Sequence, residues 1–316
     1  MLLRTALLLF ALALPGPSYA AGDISALPGD AIWYFHADLE QMRAVNSGSH
    51  LYAWLNGEVF DEINQDTGID LHREVNSVTA FSDAAFGTVV VVEGPVTQAS
   101  RDKILALAAA DAKLDTQSYD GKTYYHVARE EGSGARHDND SFDDLARSAY
   151  FSFAVKDKVI VASEQKQIES LLDNGGRIAG TKSHNGSLFV LTADKEFVQA
   201  GMKTAAFADD DDDWDSNILR NTERAALLVS DRNGLIAVEA QLVSREPSIT
   251  QSLGGIINGL ISLQAFNSDL DPELRTFIEN TTVDIKGNVL AINAVFDPEI
   301  VVRIIGDDDG EENSSE

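Results

Sequence analysis

The 316-residue chain contains no cysteine. That absence excludes a disulfide scaffold, a thiol nucleophile, a cysteine-ligated zinc or iron–sulfur centre, and a lipid-anchored cysteine. Bases are scarce as well: 24 Lys and Arg face 51 Asp and Glu, a formal charge of −27. Nucleic-acid affinity depends on Lys and Arg displacing condensed counterions, so a nucleic-acid partner is not expected. Long apolar runs are missing after the first twenty residues. The most apolar later stretch, 249–263, is interrupted by Gly254, Gly255, Asn258 and Gly259, which argues against membrane insertion of the processed chain. No Gly-x-Ser-x-Gly, Walker motif, dinucleotide fingerprint or His-Glu-x-x-His occurs, and several large enzyme classes lose their usual signatures with them.

What is present begins with an export signal. Met1-Leu2-Leu3-Arg4 leads into an apolar run to Leu14, then Pro15-Gly16-Pro17 and Ser18-Tyr19-Ala20-Ala21. One base, a short apolar stretch, a helix breaker and small residues before Ala21 read as a secretory signal over residues 1–20. About ten apolar residues at about 1.5 Å each fall far short of a hydrocarbon core of about 30 Å. The expected location is therefore periplasmic or extracellular.

The remaining chain reads as one pattern used twice. Residues 31–39 form an apolar and aromatic strand ended by Ala37-Asp38, and residues 187–195 form another ended by Ala193-Asp194. Both run into helical sequence, with the Asp placed to cap the next helix. Next, Val78 to Asp83 followed by Gly87 to Val92 matches Ala226 to Asp231 followed by Gly234 to Ala240, each a strand, a Ser-Asp turn with Gly shortly after, and a second strand. A helical stretch follows in each case: Thr97 to Ala112, with Ile104, Leu107 and Ala108 on one stripe, and Ser248 to Leu263. Each half then shows a further hairpin, turning at Asp120-Gly121 in one and Gly287-Asn288 in the other. These correspondences predict two pseudo-repeats, a first unit over 28–180 and a second over 185–305.

The first unit adds a helix with Leu51, Trp54, Leu55, Val59 and Ile63 at helical spacing, ended by Thr67-Gly68. It also adds a hairpin around Lys156-Asp157-Lys158 and a helix from Glu164 to Leu172 ended by Asn174-Gly175-Gly176. Hairpins alternating with helices predict an α+β fold of antiparallel sheets covered by helices on one face, with a broad face or cleft between two equivalent sheets. Residues 130–147, 208–217 and the acidic tail 306–316 read as solvated loops, the tail as disordered.

The order Thr67-Gly68-Ile69-Asp70-Leu71, Val75, Glu93-Gly94, Tyr119 to Tyr124, and Val161-Ala162-Ser163 running into Ile168 to Leu172 resembles a loose class of exported bacterial α+β proteins known only as domains of unknown function. The resemblance spans residues 30–205 and implies tandem helix-covered antiparallel sheets and an exported location. It implies no catalytic residues. Members of that class are often lipid-anchored, for which this chain lacks the cysteine.

Candidate chemistry is thin. Asp209 to Asp213, Trp214 and Asp215 cluster carboxylates, and Asp211, Asp213 and Asp215 are candidate calcium ligands because calcium takes six to eight oxygens. An EF-hand register started at Asp211 fails, placing Ser216 at the glycine position and Thr222 at the bidentate glutamate. A solvated loop is the competing reading. A second group, Asp138, Asp140, Asp143 and Asp144, is weaker. His36 and His126 fall in strands, where hydrogen-bonded roles are expected rather than metal ligation. No catalytic or cofactor-binding residue is assigned. The resulting expectation is an exported, non-catalytic envelope module that binds a protein, a peptide or a surface polymer. A hydrolase with a dispersed carboxylate site and a calcium-dependent binding module remain open.

Overall fold

A computed structural model describes residues 24–83, 87–128, 145, 148–177, 186–198, 221–265, 275 and 278–300. The export signal, the loops at 130–144 and 208–217, the aspartates 211, 213 and 215, and the acidic tail lie outside the described residues.

Twelve strands form one sheet: β1 Ala31–Asp38, β2 Ser77–Asp83, β3 Gly87–Glu93, β4 Lys113–Tyr119, β5 Lys122–Ala128, β6 Ser148–Ser152, β7 Lys158–Ala162, β8 Ser187–Asp194, β9 Thr222–Arg232, β10 Leu235–Ser244, β11 Thr282–Lys286 and β12 Val289–Phe296. Their order is β11-β12-β10-β9-β8-β1-β2-β3-β7-β6-β5-β4, and every adjacent pair is antiparallel. Turn chemistry explains the hairpins. Asp120-Gly121 and Asn233-Gly234 all take positive φ, the geometry of the tight two-residue turn whose twist matches the flanking strands.

The α+β class stands, with a corrected layout. Instead of two sheets with a cleft between them there is one, because β1 pairs with β8 from Trp33 opposite Ala193 to Ala37 opposite Phe189. Helical segments among the described residues include α1 Leu39–Ala44, α2 Asn46–Leu55, a π turn Asn56–Phe60, α3 Asp61–Thr67, α4 Leu71–Glu74, α5 Gln98–Asp111, α6 Gln165–Asp173 and α7 Pro247–Ala265, and residues 195–198 leave β8 as helix. None is long and apolar enough to cross a membrane.

These helices cover both faces of the sheet, where a single covered face was expected. Alternate residues of a strand point to opposite sides. On β3, Val92 packs into a cluster with Met42 of α1, Tyr52 of α2 and Phe60. Its neighbours Val89 and Val91 pack instead with Ile160, Ala162 and the α6 residues Ile168, Leu171 and Leu172. The interleaving decides which strand residues are apolar: β3, covered on both sides, reads Gly-Thr-Val-Val-Val-Val-Glu with no polar alternation.

The π turn changes which side of its helix is buried. Tyr52 and Phe60, eight residues apart, would stand about 80° apart on a regular α-helix. The π turn absorbs an extra residue and brings Phe60 back over Tyr52, with ring centroids 5.9 Å apart. The buried positions are Ser47, Gly48, Tyr52 and Phe60, while Val59 of the expected stripe is exposed and Leu51, Trp54, Leu55 and Ile63 are half-buried. Gly68 ends the segment with φ +67, as its C-cap role requires. On α5, Leu107 is 44% exposed rather than packed.

Gly94 shows how tightly the α4 end meets the sheet: a Cβ there would lie 2.1 Å from the Glu74 carbonyl oxygen. Gly57, in the π turn, has nothing within 4 Å. Gly94→Ala is expected to lower the unfolding free energy by about 2 kcal/mol or more through overpacking, while Gly57→Ala raises it by about 0.5–1 kcal/mol through helix propensity. Urea denaturation midpoints at unchanged slope check both.

Candidate functional site

The register brings four side chains abreast at one end of the sheet. Asp38 of β1 stands opposite Ser77 of β2, Ser77 opposite Glu93 of β3, and Glu93 opposite Lys158 of β7. Backbone bonds extend the layer past the strand ends: Glu40 N–H donates to the Asn76 carbonyl at 2.9 Å, Asn76 N–H to Glu93 at 2.7 Å and Gly94 N–H to Asp157 at 2.9 Å. These residues line a groove of about 560 Å³ with His36, Glu40, Pro95, Lys156 and Lys158. Its volume is in the range of small-ligand sites.

Within the groove, most polar groups already serve the fold. The Asp38 carboxylate accepts from the Gln41 backbone N–H at 2.7 Å and caps α1. Asp194 does the same at the end of β8, accepting from the Glu196 and Phe197 N–H groups. The capping role read from sequence for both aspartates is what they perform. Lys158 forms an ion pair with Glu93 and reaches the Gly176 carbonyl beyond α6. Lys156 and Asp157 pair loosely at 3.8 Å, both well exposed, a contact of little energetic weight. Lysines on one rim thus oppose Asp38 and Glu40 on the other.

His36 lies on the same strand face as Asp38, two residues back. Its Nδ1 is 2.8 Å from Thr79 Oγ1, the residue opposite it in the ladder. Burial holds its pKa below the ordinary 6.5, and the negative charges of Asp38 and Glu93 offset part of that. Burial, and secondarily Glu93, push the neighbouring Tyr34 hydroxyl up to about 12. At neutral pH both are uncharged, so His36 can offer hydrogen bonds without charge.

Beneath this end of the sheet, two charged side chains hold the helices in place. Arg43 donates to the Tyr52 hydroxyl at 3.3 Å, the Val75 carbonyl at 3.1 Å and Asn76 Oδ1 at 3.0 Å, with its guanidinium 5.2 Å from the Tyr52 ring centroid. Glu74, only 7% exposed, accepts from the Thr97 N–H and hydroxyl at 2.9 and 3.1 Å and from the Ser100 hydroxyl at 2.7 Å. Its charge is thereby compensated at the N-terminus of α5. Neither residue was singled out from sequence. The only local signal was a Thr-x-x-Ser start to α5, and that does not name a distant acid.

A smaller hollow of about 290 Å³ lies where the π turn meets α4, lined by Phe60, Asp61, Asp70, Leu71, His72 and Arg73 among others. His72 Nδ1 is 2.8 Å from the Tyr52 hydroxyl. His126 Nε2 is 3.0 Å from Ser148 Oγ, and its ring stacks on Tyr150 at 4.4 Å. His36, His72 and His126 therefore each have a polar partner. Among the described residues no three His, Asp or Glu side chains are grouped to hold a metal. Asp211, Asp213 and Asp215 lie outside them.

No known family profile matches the chain, and no curated protein matches it. Among solved structures it is similar to TP0453, a Treponema protein. One crystal form of TP0453 aligns with a TM-score of 0.46 at 11% identity, over 90% of this chain and 98% of that one. Another aligns with a TM-score of 0.47 at 12% identity, over 90% and 99%.

Since the folded pKa of His36 lies below its unfolded value, the unfolded state binds the proton more readily. Stability held above pH 6.5 is lost as the pH falls through that value towards the folded pKa. His36→Gln is expected to lose less stability than the wild type between about pH 7.5 and 5.5. Urea midpoints across that range read the difference, and identical profiles would count against a strained neutral His36.

Proposed function

We propose that the chain is an exported, non-catalytic binding module that holds a polar stretch of a peptide or surface polymer in the groove at the Asp38 end of β1. The observation that carries this reading is the groove itself: a cavity of about 560 Å³ with Lys156 and Lys158 on one rim and Asp38 and Glu40 on the other. Opposed charges across a shallow trough suit a ligand that presents both signs along its length, such as an extended peptide. His36, Asp38 and Lys158 are already committed, to Thr79, to the α1 cap and to the Glu93 ion pair. They offer orientation and hydrogen bonding in preference to a free acid and base.

Internal duplication is part of the same proposal, with units over 28–180 and 185–305. Three features support it. From the centre outward the sheet reads β1-β2-β3-β7-β6 in one direction and β8-β9-β10-β12-β11 in the other. Asp38 and Asp194 cap the helices that leave the two central strands. Moreover, Phe35 pairs with Leu191, and each stands three residues before its aspartate, as a two-fold relation between the halves requires. On this reading β11-β12 corresponds by position to β6-β7, and not to β4-β5 as the order of hairpins along the sequence suggests, and β4-β5 is an added hairpin.

Capture from an envelope extract by the immobilised full chain tests the groove. A component retained by the wild type and lost with Lys156→Glu or Glu40→Lys, both on the rim, is the expected outcome. Equal recovery on both variants at about 0.15 M salt, where exposed charges act over about 8 Å, overturns the assignment.

A further inference from the structure

The π turn Asn56–Phe60 builds a second hollow as well as repositioning Phe60. On a regular α-helix Asn56 and Asp61, five residues apart, would stand about 140° apart and could not touch. The wider turn brings them to one side, where Asn56 Nδ2 donates to Asp61 Oδ1 at 3.3 Å. With Phe60 they line the hollow of about 290 Å³, against Leu71, His72 and Arg73 of α4. That volume is at the small end of ligand sites and suits a single small molecule. Three of its polar groups keep unused capacity. Arg43 can only donate, so the Tyr52 oxygen accepts from it. The Tyr52 hydroxyl hydrogen is buried, with the residue 6% exposed, and its acceptor is His72 Nδ1 at 2.8 Å. This network assigns the proton of the neutral imidazole to Nε2, and that N–H has no partner among the described residues. Arg73 gives its Nε to Asp70 at 3.5 Å and keeps both Nη groups uncommitted among them. Asp61 holds the Asn56 amide and no cation there.

The geometry points to this hollow as a binding site for a free α-amino acid with an aliphatic side chain, separate from the groove at the Asp38 end of β1. The ligand carboxylate accepts from His72 Nε2–H and the Arg73 Nη groups, and its ammonium donates to Asp61, charge-assisted bonds on both sides of one carbon. Phe60, buried, and Leu71, half-buried, supply the apolar surface for the side chain. Opposite charges in so small a space select a molecule that carries both signs close together. A peptide offers one of them at each terminus and never both. An inorganic anion would meet Arg73 but also face Asp61 and Asp70, the latter already spent on the α4 cap and on Arg73. Because the charged groups are exposed, the affinity is modest, with a dissociation constant of about 0.1–1 mM for a ligand of about nine heavy atoms.

Titration of the full chain with L-leucine, followed by amide proton–nitrogen NMR spectra up to about 10 mM ligand, tests it. The expected result is saturable shifts centred on residues 56–61 and 71–73. N-acetyl-L-leucine and L-leucinamide, each lacking one of the two charges, bind at least tenfold more weakly. Asp61→Asn and Arg73→Gln each weaken leucine binding at least tenfold. Both residues are exposed, so the circular dichroism spectrum and urea midpoint stay unchanged. Glu62→Gln removes the same charge one position along, outside the hollow, and leaves the affinity as it was. Absence of shifts up to about 10 mM, shifts centred on other residues, or equal binding of the two capped analogues overturns the inference. So does an equal loss with Glu62→Gln and Asp61→Asn, since the ligand would then be responding to the overall charge of the surface.

Discussion

The pairing of β1 with β8 is the constraint on which the rest of the structure depends. Five residue pairs, Trp33–Ala193 to Ala37–Phe189, join seven strands to five in a single layer. Both strands are buried on two sides, and Trp33, Tyr34, Leu188 and Val190 are all under 9% exposed. Without that ladder, two apolar strand edges would face water with their amides unpaired, a state that invites aggregation. The ladder also fixes where each central strand ends. Asp38 and Asp194 fall at opposite ends of the paired region, and each turns the chain into a helix by capping it. The groove is thus a consequence of central pairing, because the strands that β1 aligns set Asp38, Ser77, Glu93 and Lys158 in a row.

Buried charge reinforces that geometry. Arg43 links α1, α2 and the residues entering β2, while Glu74 links α4 to the start of α5. Losing either partner would leave a charge or a set of helix-end amides unsatisfied, which costs more than the hydrogen bonds themselves contribute. Together they hold the helical layer against the end of the sheet that bears the groove. The ion pair of Lys158 with Glu93, bonded onward to Gly176, does the same on the α6 side. The groove floor is accordingly rigid, and its exposed rim residues, Glu40 and Lys156, are the ones free to meet a ligand.

Legibility in the sequence followed locality. Hairpins at Asp120-Gly121 and Gly287-Asn288 were readable because the residues that make the turn are adjacent and their backbone requirement is specific, whereas the β9-β10 turn expected at Ser230-Asp231 falls at Asn233-Gly234. The caps at Asp38 and Asp194 were readable for the same reason. The buried face of the α2 segment was not, since a π turn at Asn56–Phe60 breaks the 3.6-residue period that a pattern search assumes. That the helices cover both faces was hidden in β3, where four valines in succession say that a strand is buried without saying by what. The groove gave no signal at all: its row of side chains spans residues 38 to 158 and exists only once the register is set. The calcium candidates Asp211, Asp213 and Asp215 rested on composition alone, and they lie outside the described residues.

Charge placement finally separates the surfaces by what they can do. The two sheet edges are guarded: β4 carries Lys113 and Asp115 in contact at 2.8 Å, and the exposed five-residue strand β11 carries Asp284 and Lys286. Charges on a short edge discourage strand addition by another chain, so the ladder ends where the described sheet ends. The groove mixes both signs within a few ångströms and is suited to a charged, polar ligand. Among the described helices, α7 alone combines nineteen residues without an ionisable group and a ridge exposed to water. In a polypeptide this acidic, leaving such a face neutral forgoes the solubility that one or two carboxylates would supply at no cost to packing.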